Sequence, residues 1–181
     1  QVVQAVAGLQ DSGVGACIKH FPGHGAVVED SHHSLPRIKM SKADYEAGHV
    51  SPFRNAIARG VSAVMVGHLV VDELDAHKPA SLSSKVQGEY LRGSLGFKGL
   101  IVTDALDMGA LGGVPRIHES ALQALLAGSN LLCFSGLGDQ SQIVEASFVR
   151  IKDALKSGEI KSDYLAGIAS PVRDFNSKIL V

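Results

Sequence analysis

The sequence predicts an α/β protein built on a parallel sheet, and three observations carry that expectation. Short β-branched apolar runs alternate with longer segments of helical periodicity. The runs are apolar on both faces, as strands buried on both sides of a parallel sheet must be. Polar residues collect at the C-terminal ends of the runs: Lys19 and His20, then His68, then Asp104. Two architectures place active groups there, an open doubly wound sheet and a (β/α)₈ barrel. A whole barrel takes about 250 residues, so 181 residues with four strands amount to about half of one.

The elements follow in order. "QVVQAVAGLQDSG" reads as a helix closing at Gly13, and "GACIKHF" as the first strand. "KADYEAGHVSPFRNAIARG" has helical spacing up to Gly60, with Pro52 at a kink or a helix start. "VSAVMVGHLV" is the second strand, "DELDAHKPASLSS" a loop, and Ser83 or Ser84 can cap the helix "KVQGEYLRGSLG". "GLIVTDAL" is the third strand, "RIHESALQALLAG" a helix with a glycine stop, and "NLLCFS" the fourth strand. "GDQSQIVEASFVRIKDALKSG" and "KSDYLAGIASPVRDFNSKIL" are closing helices, the second interrupted at Pro171. No linker stands out, so residues 1–181 read as one domain. The chain opens mid-helix at Gln1, which suggests part of a longer protein.

Composition excludes some classes. There are 17 basic and 18 acidic residues with no basic block, which argues against nucleic acid or an anionic membrane surface. No apolar run reaches the roughly 18 residues a membrane helix needs. Mean hydropathy is +0.16, suited to a soluble protein with a core. Cys17 and Cys133 sit in apolar runs and read as buried free thiols, which favours the cytoplasm.

The segment "KHFPGHGAVVEDSHHSLP", residues 19–36, holds four of the eight histidines. A zinc site would use His20, His24 and His32 with a carboxylate. Pro22 and Gly23 forbid the helix that the His20–His24 spacing would need, and the segment itself holds no cysteine, so no metal is expected. An acid/base pair is the stronger reading. Asp30 and His32 flank Ser31, and side chains two apart in a turn can face one way. A carboxylate on one ring nitrogen favours the imidazolium and leaves the other nitrogen to move a proton. His33 is the neighbouring rival. Asp104 closes an apolar strand, where a carboxylate is costly unless paired or functional. Its alternatives are a cap on the next segment, or Asp107 in its place. Met108 and Phe21 read as core or pocket wall.

These residues carry a family resemblance. "KHFPGHG" followed by "DSH" and "LP", then "GFKGLIVTDALDMGAL", resembles the β-N-acetylhexosaminidase branch of glycoside hydrolase family 3. "PASLSSKVQGEYLRGSLGF" and "ALQALLAGSNLLCF" resemble its intervening and following segments, with Asn130 where the family has Asp. The likeness implies a (β/α)₈ TIM-barrel fold of which this chain holds about strands 5–8. It implies a retaining hydrolase acting on β-linked N-acetylglucosaminides, notably peptidoglycan fragments. Asp104 matches the nucleophile, His32 the general acid/base and Asp30 its dyad partner. Lys19 and His20 match sugar-binding residues, and Met108 joins them at the substrate. His24 and His33 are left to loop packing. Most glycosidases use a carboxylic acid where this family uses histidine; an imidazole titrating near about 6.5 is a workable substitute. Glycines in the loop would let the acid swing over bound sugar.

The partner implied is a small carbohydrate, with no cofactor, nucleic acid or membrane. The sugar-gripping Asp and Arg of the family's first half-barrel have no counterpart here. A half-barrel also exposes strand edges and an apolar face, so weak stability, self-association and low activity of the isolated chain are expected. A β-N-acetylglucosaminide phosphorylase, admitting phosphate in place of water, and an inactive sugar-binding relative are the alternatives.

Overall fold

The computed structural model describes residues 1–135 and 139–179. Helix α1 (Val2–Asp11) leads into strand β1 (Cys17–Phe21), and the loop that follows contains a single 3₁₀ turn, His24–Ala26. Next come β2 (Arg37–Ile38), α2 (Lys42–Tyr45), a π turn (Glu46–Val50), α3 (Ser51–Ala58) and β3 (Ala63–Val66). β4 (Val70–Val71), α4 (Asp72–Asp75) and a π-type helix (Lys85–Ser94) precede β5 (Leu100–Ala105). α5 (Ile117–Ala127), β6 (Leu131–Cys133), α6 (Gln140–Ser157) and α7 (Ser162–Ile179) complete the chain.

The main sheet is four-stranded and parallel throughout, in the order β1-β3-β5-β6. That order decides between the two architectures. A doubly wound sheet reverses its strand order at a switch point; here each long strand lies beside its successor. Right-handed crossovers repeated in one direction put every helix on the same face of the sheet. The fold is therefore the α/β barrel type, in four strands.

Burial follows this geometry. Ile18, Val64, Val66, Ile101 and Thr103 point to the helical face and are buried. The four aliphatic residues, Ile18, Val64, Val66 and Ile101, pack with Phe21, Tyr45, Phe53, Leu91 and Phe97 into the largest core cluster. Each such aliphatic or aromatic side chain contributes about 1.5–3 kcal/mol through burial. On the opposite face, Cys17, Lys19 and Leu131 are exposed, and Met65, Val102, Asp104 and Cys133 are half-buried. The expectation of two buried thiols is thus corrected. Both cysteines are free, but they stand on the more exposed face of the sheet.

Several local expectations also change. The helix expected over 42–60 runs without a gap from Lys42 to Ala58, but through a π turn at Glu46–Val50, and Pro52 follows that turn at the start of the α-helical stretch Ser51–Ala58. Ser83 rather than Ser84 caps the next helix, its hydroxyl accepting the Val86 N–H at 3.2 Å. The second strand stops at Val66, and the stretch expected as a loop contains α4; β4 before it pairs in parallel with β2 in a separate ladder. α7 runs through Pro171 without interruption. A proline removes one N–H from the ladder, and the turns on either side continue it. α5 and α6 end at Gly128 and Gly158, with φ of 115° and 80°, in the left-handed conformation that glycine adopts without penalty. Gly138 and Leu180, at the ends of the last two expected helices, lie outside the described residues.

Candidate active site

At the C-terminal edge of the sheet, side chains of β1 and β5 approach each other past the intervening β3. Asp104 lies on β5, on the face away from the helices, and its side chain is 15% exposed. One carboxylate oxygen accepts the N–H of Ala105 at 2.9 Å. The other lies 3.7 Å from Nε2 of His20, within ion-pair range but too long for a hydrogen bond. Asp104 does not cap the turn that follows: that turn begins at Gly109 and has Met108 at its cap position. Asp107 is buried and committed elsewhere, accepting the backbone N–H of Ser135 at 3.0 Å and its hydroxyl at 2.8 Å.

His20 is half-buried, and burial pushes its pKa down while the Asp104 carboxylate pulls it up. The charges of Lys19, His24 and His32 also reach it, each lowering the pKa further. His20 is therefore the electrostatic meeting point of the strand-end carboxylate and the histidine loop. Lys19 is exposed beside it. Met108 is buried.

The loop is organised by short-range bonds. Asp30 Oδ1 accepts both the backbone N–H of His32 at 2.9 Å and its Nδ1–H at 2.6 Å. These bonds, the backbone one foremost, hold the Asp30 carboxyl below the usual carboxylate range. The next N–H groups, of His33 and Ser34, both bond the Asp30 carbonyl, closing the turn. His33 is exposed. His24 Nε2 meets the buried Ser31 hydroxyl at 2.9 Å. The rings of His20 and His24 stand edge to face with centroids 6.1 Å apart. The three histidines of the zinc reading thus have three different partners. Among the described residues no group of three His, Cys, Asp or Glu side chains could hold a metal ion.

Two features went unread in the sequence. The turn 30–33 lies against the segment after β5: Gly109 N–H bonds the His32 carbonyl at 3.1 Å, and Ala110 N–H bonds that of Ser31 at 3.2 Å. Apart from a glycine in "DMGAL", nothing signalled it. His68, seen only as a polar strand end, is fully buried. Its Nε2 bonds the Ala105 carbonyl at 2.8 Å, next to Asp104, and its Nδ1 the Ser81 hydroxyl at 2.7 Å.

Comparison with known proteins identifies the family. Residues 1–172 match the glycosyl hydrolase family 3 N terminal domain. A beta-hexosaminidase of Alkalilimnicola ehrlichii is 38% identical over 122 residues, 66% of this chain and 35% of that protein. One from Neisseria meningitidis serogroup C is 40% identical over 125 residues, 69% of this chain and 34% of its own. A family 3 beta-N-acetylglucosaminidase structure from Paenibacillus sp. str. FPU-7 superposes on 98% of this chain and 34% of its own, with a TM-score of 0.91 and 37% identity. The chain spans about a third of the length of the curated relatives it matches. With the family match running over residues 1–172, the chain belongs to glycosyl hydrolase family 3, within that family's N-terminal domain.

Proposed function

We propose that this chain supplies the nucleophile and the acid/base dyad of a retaining hydrolase that removes terminal β-linked N-acetylglucosamine. Relatives named beta-hexosaminidase and beta-N-acetylglucosaminidase support the substrate class. The observation that carries the proposal is the convergence at one sheet edge. A strand-end carboxylate and a carboxylate-bound imidazole both reach His20 with their charges, and the loop of the second is bonded to the segment that follows the first.

The chemistry follows from the bonds. Asp30 only accepts, so His32 Nδ1 carries a hydrogen and Nε2 is the nitrogen free to work. Asp104 attacks the anomeric carbon. As the glycosidic bond breaks, imidazolium His32 gives its Nε2 proton to the leaving oxygen. The neutral Nε2 then takes a proton from water, whose oxygen displaces Asp104 from the sugar. Two inversions retain the configuration. The ionised Asp30 stabilises the imidazolium in the first step and holds the ring in its productive tautomer. Lys19 and His20 bind the sugar hydroxyls, and buried Met108 backs the pocket wall. The natural substrates are peptidoglycan and muropeptide fragments.

The test uses two variants of the full-length protein and two substrates, a disaccharide and a dinitrophenyl β-N-acetylglucosaminide. Asp104→Ala should lose at least about 10³-fold in kcat on both. His32→Ala should lose about 10²–10⁴-fold in kcat/KM on the disaccharide. It should lose little on the dinitrophenyl sugar, whose leaving group needs no proton. Full activity of Asp104→Ala, or equal losses of His32→Ala on both substrates, would remove the assignment. Rates should not depend on inorganic phosphate.

A further inference from the structure

We propose that Gly109 is a positioning residue for proton transfer, the point at which the dyad turn is held in register with the nucleophile; this rests on the roles of His32 and Asp104 proposed above.

The dyad cannot locate itself. The His32 side chain is 69% exposed, and its ring bonds Asp30 in the same turn. That bond sets the ring relative to the turn, but not the turn relative to Asp104. Two outside attachments do this. On one side, Ser31 bonds His24, whose ring lies against that of His20, the neighbour of Asp104. On the other, the N–H groups of Gly109 and Ala110 bond the carbonyls of His32 and Ser31. The second attachment is the more direct, because Gly109 follows Asp104 within one turn-forming segment and bonds the acid/base residue's own backbone.

Glycine is required there by space rather than by conformation. Gly109 is not among the glycines with positive φ, so alanine fits its backbone geometry. A Cβ added at Gly109 would stand 2.5 Å from the His32 carbonyl oxygen, and 3.3 Å from both that carbonyl carbon and the Cα of His33. The obstacle is backbone, which cannot rotate aside. A carbon–oxygen contact of roughly 3.3 Å would require the two segments to part by most of an ångström. A misplacement of about 1 Å at a reacting group costs on the order of 10²-fold in rate. Asp104, held within β5, keeps its place. Alanine at position 109 should therefore impair the acid and base steps and spare the nucleophile.

The test compares Gly109→Ala, Ser31→Ala and His32→Ala in the full-length protein with the same two substrates. Ser31→Ala loosens the His24 attachment without adding bulk, so it tests the same docking without a steric load. For Gly109→Ala, kcat/KM should fall about 10²-fold on the disaccharide and only a few-fold on the dinitrophenyl sugar. Turnover of the activated substrate should then be limited by deglycosylation. A glycosyl-enzyme should accumulate to a level visible by intact mass, and azide, which attacks it without a base, should restore turnover. Ser31→Ala should show the same substrate pattern at smaller amplitude. Wild-type kcat/KM on the disaccharide for Gly109→Ala would overturn the proposal. So would equal losses on both substrates, which would mark a general structural defect. If His32→Ala discriminates between the substrates and Gly109→Ala does not, the positioning inference alone fails. If His32→Ala does not discriminate, the assignment of the acid fails first.

Discussion

His68 has both ring nitrogens committed in a site closed to solvent. The Ala105 carbonyl can only accept, so Nε2 carries the hydrogen and Nδ1 accepts from Ser81. The imidazole is neutral. Burial drives its pKa below the ordinary 6.5, opposed by the Ala105 carbonyl and the Asp104 and Asp107 charges and reinforced by His20. A folded-state pKa below the unfolded one means that the unfolded chain binds the proton more readily. The stability of the neutral ring is then complete above about pH 6.5 and is lost as pH falls toward the folded value. Between pH 7 and pH 5, Tm should fall more steeply for the wild type than for His68→Asn. Parallel slopes would show that this ring does not titrate on unfolding. At this scale the sequence disclosed the Asp30–His32 pair, because two residues in one turn are neighbours whatever the fold. It did not disclose His20 beside Asp104, or His68 behind it, since those pairs meet only through strand register.

Asn130 ties three elements together. Its Oδ1 accepts from Arg92 at 2.7 Å and from the Ile101 N–H at 2.8 Å, and its Nδ2 donates to the Ile168 carbonyl at 2.8 Å. One side chain thus joins the π-type helix, β5 and α7 at the start of β6. Arg92, whose pKa burial lowers, also reaches the Gly99 carbonyl at 2.6 Å. Asn130→Ala leaves a part-buried guanidinium and a strand N–H short of an acceptor. It should cost about 3 kcal/mol in urea unfolding. Asn130→Asp keeps both acceptor bonds and loses only the donor to Ile168, so it should cost less. Equal costs would place the stabilising role on the Ile168 bond instead. Helix and strand types were readable from periodicity, while the π turn and the β2–β4 ladder were not. Both arise from how segments pack, which apolar spacing does not encode.

Among the described residues of the whole molecule, one face of the sheet is buried under helices and the other is the more exposed. Leu131 is exposed there and Met65 and Val102 are half-buried, while β1 and β6 each have one strand neighbour among the described residues. Open parallel edges and an apolar face favour association. Light scattering of the isolated 181-residue chain should show concentration-dependent oligomers at micromolar levels. Leu131→Lys should shift it toward monomer. A chain that stays monomeric at about 100 μM would show that this face needs no cover. Among the described residues no helix is long and apolar enough to cross a membrane.

By itself the sequence determined the α/β class, the parallel sheet, the strand-end carboxylate and the Asp30–His32 pairing. These depend on period, composition and separations of a few residues, which the chain carries locally. The tertiary structure decided the rest. It set the strand order that excludes a doubly wound sheet, the exposure of the two thiols, and the approach of His20 to Asp104. It also set the crossing of Gly109 and Ala110 against the turn that holds Asp30 and His32. Each of these is a contact between distant segments, fixed by register and by how closely two backbones can approach, and no local pattern of side chains specifies either.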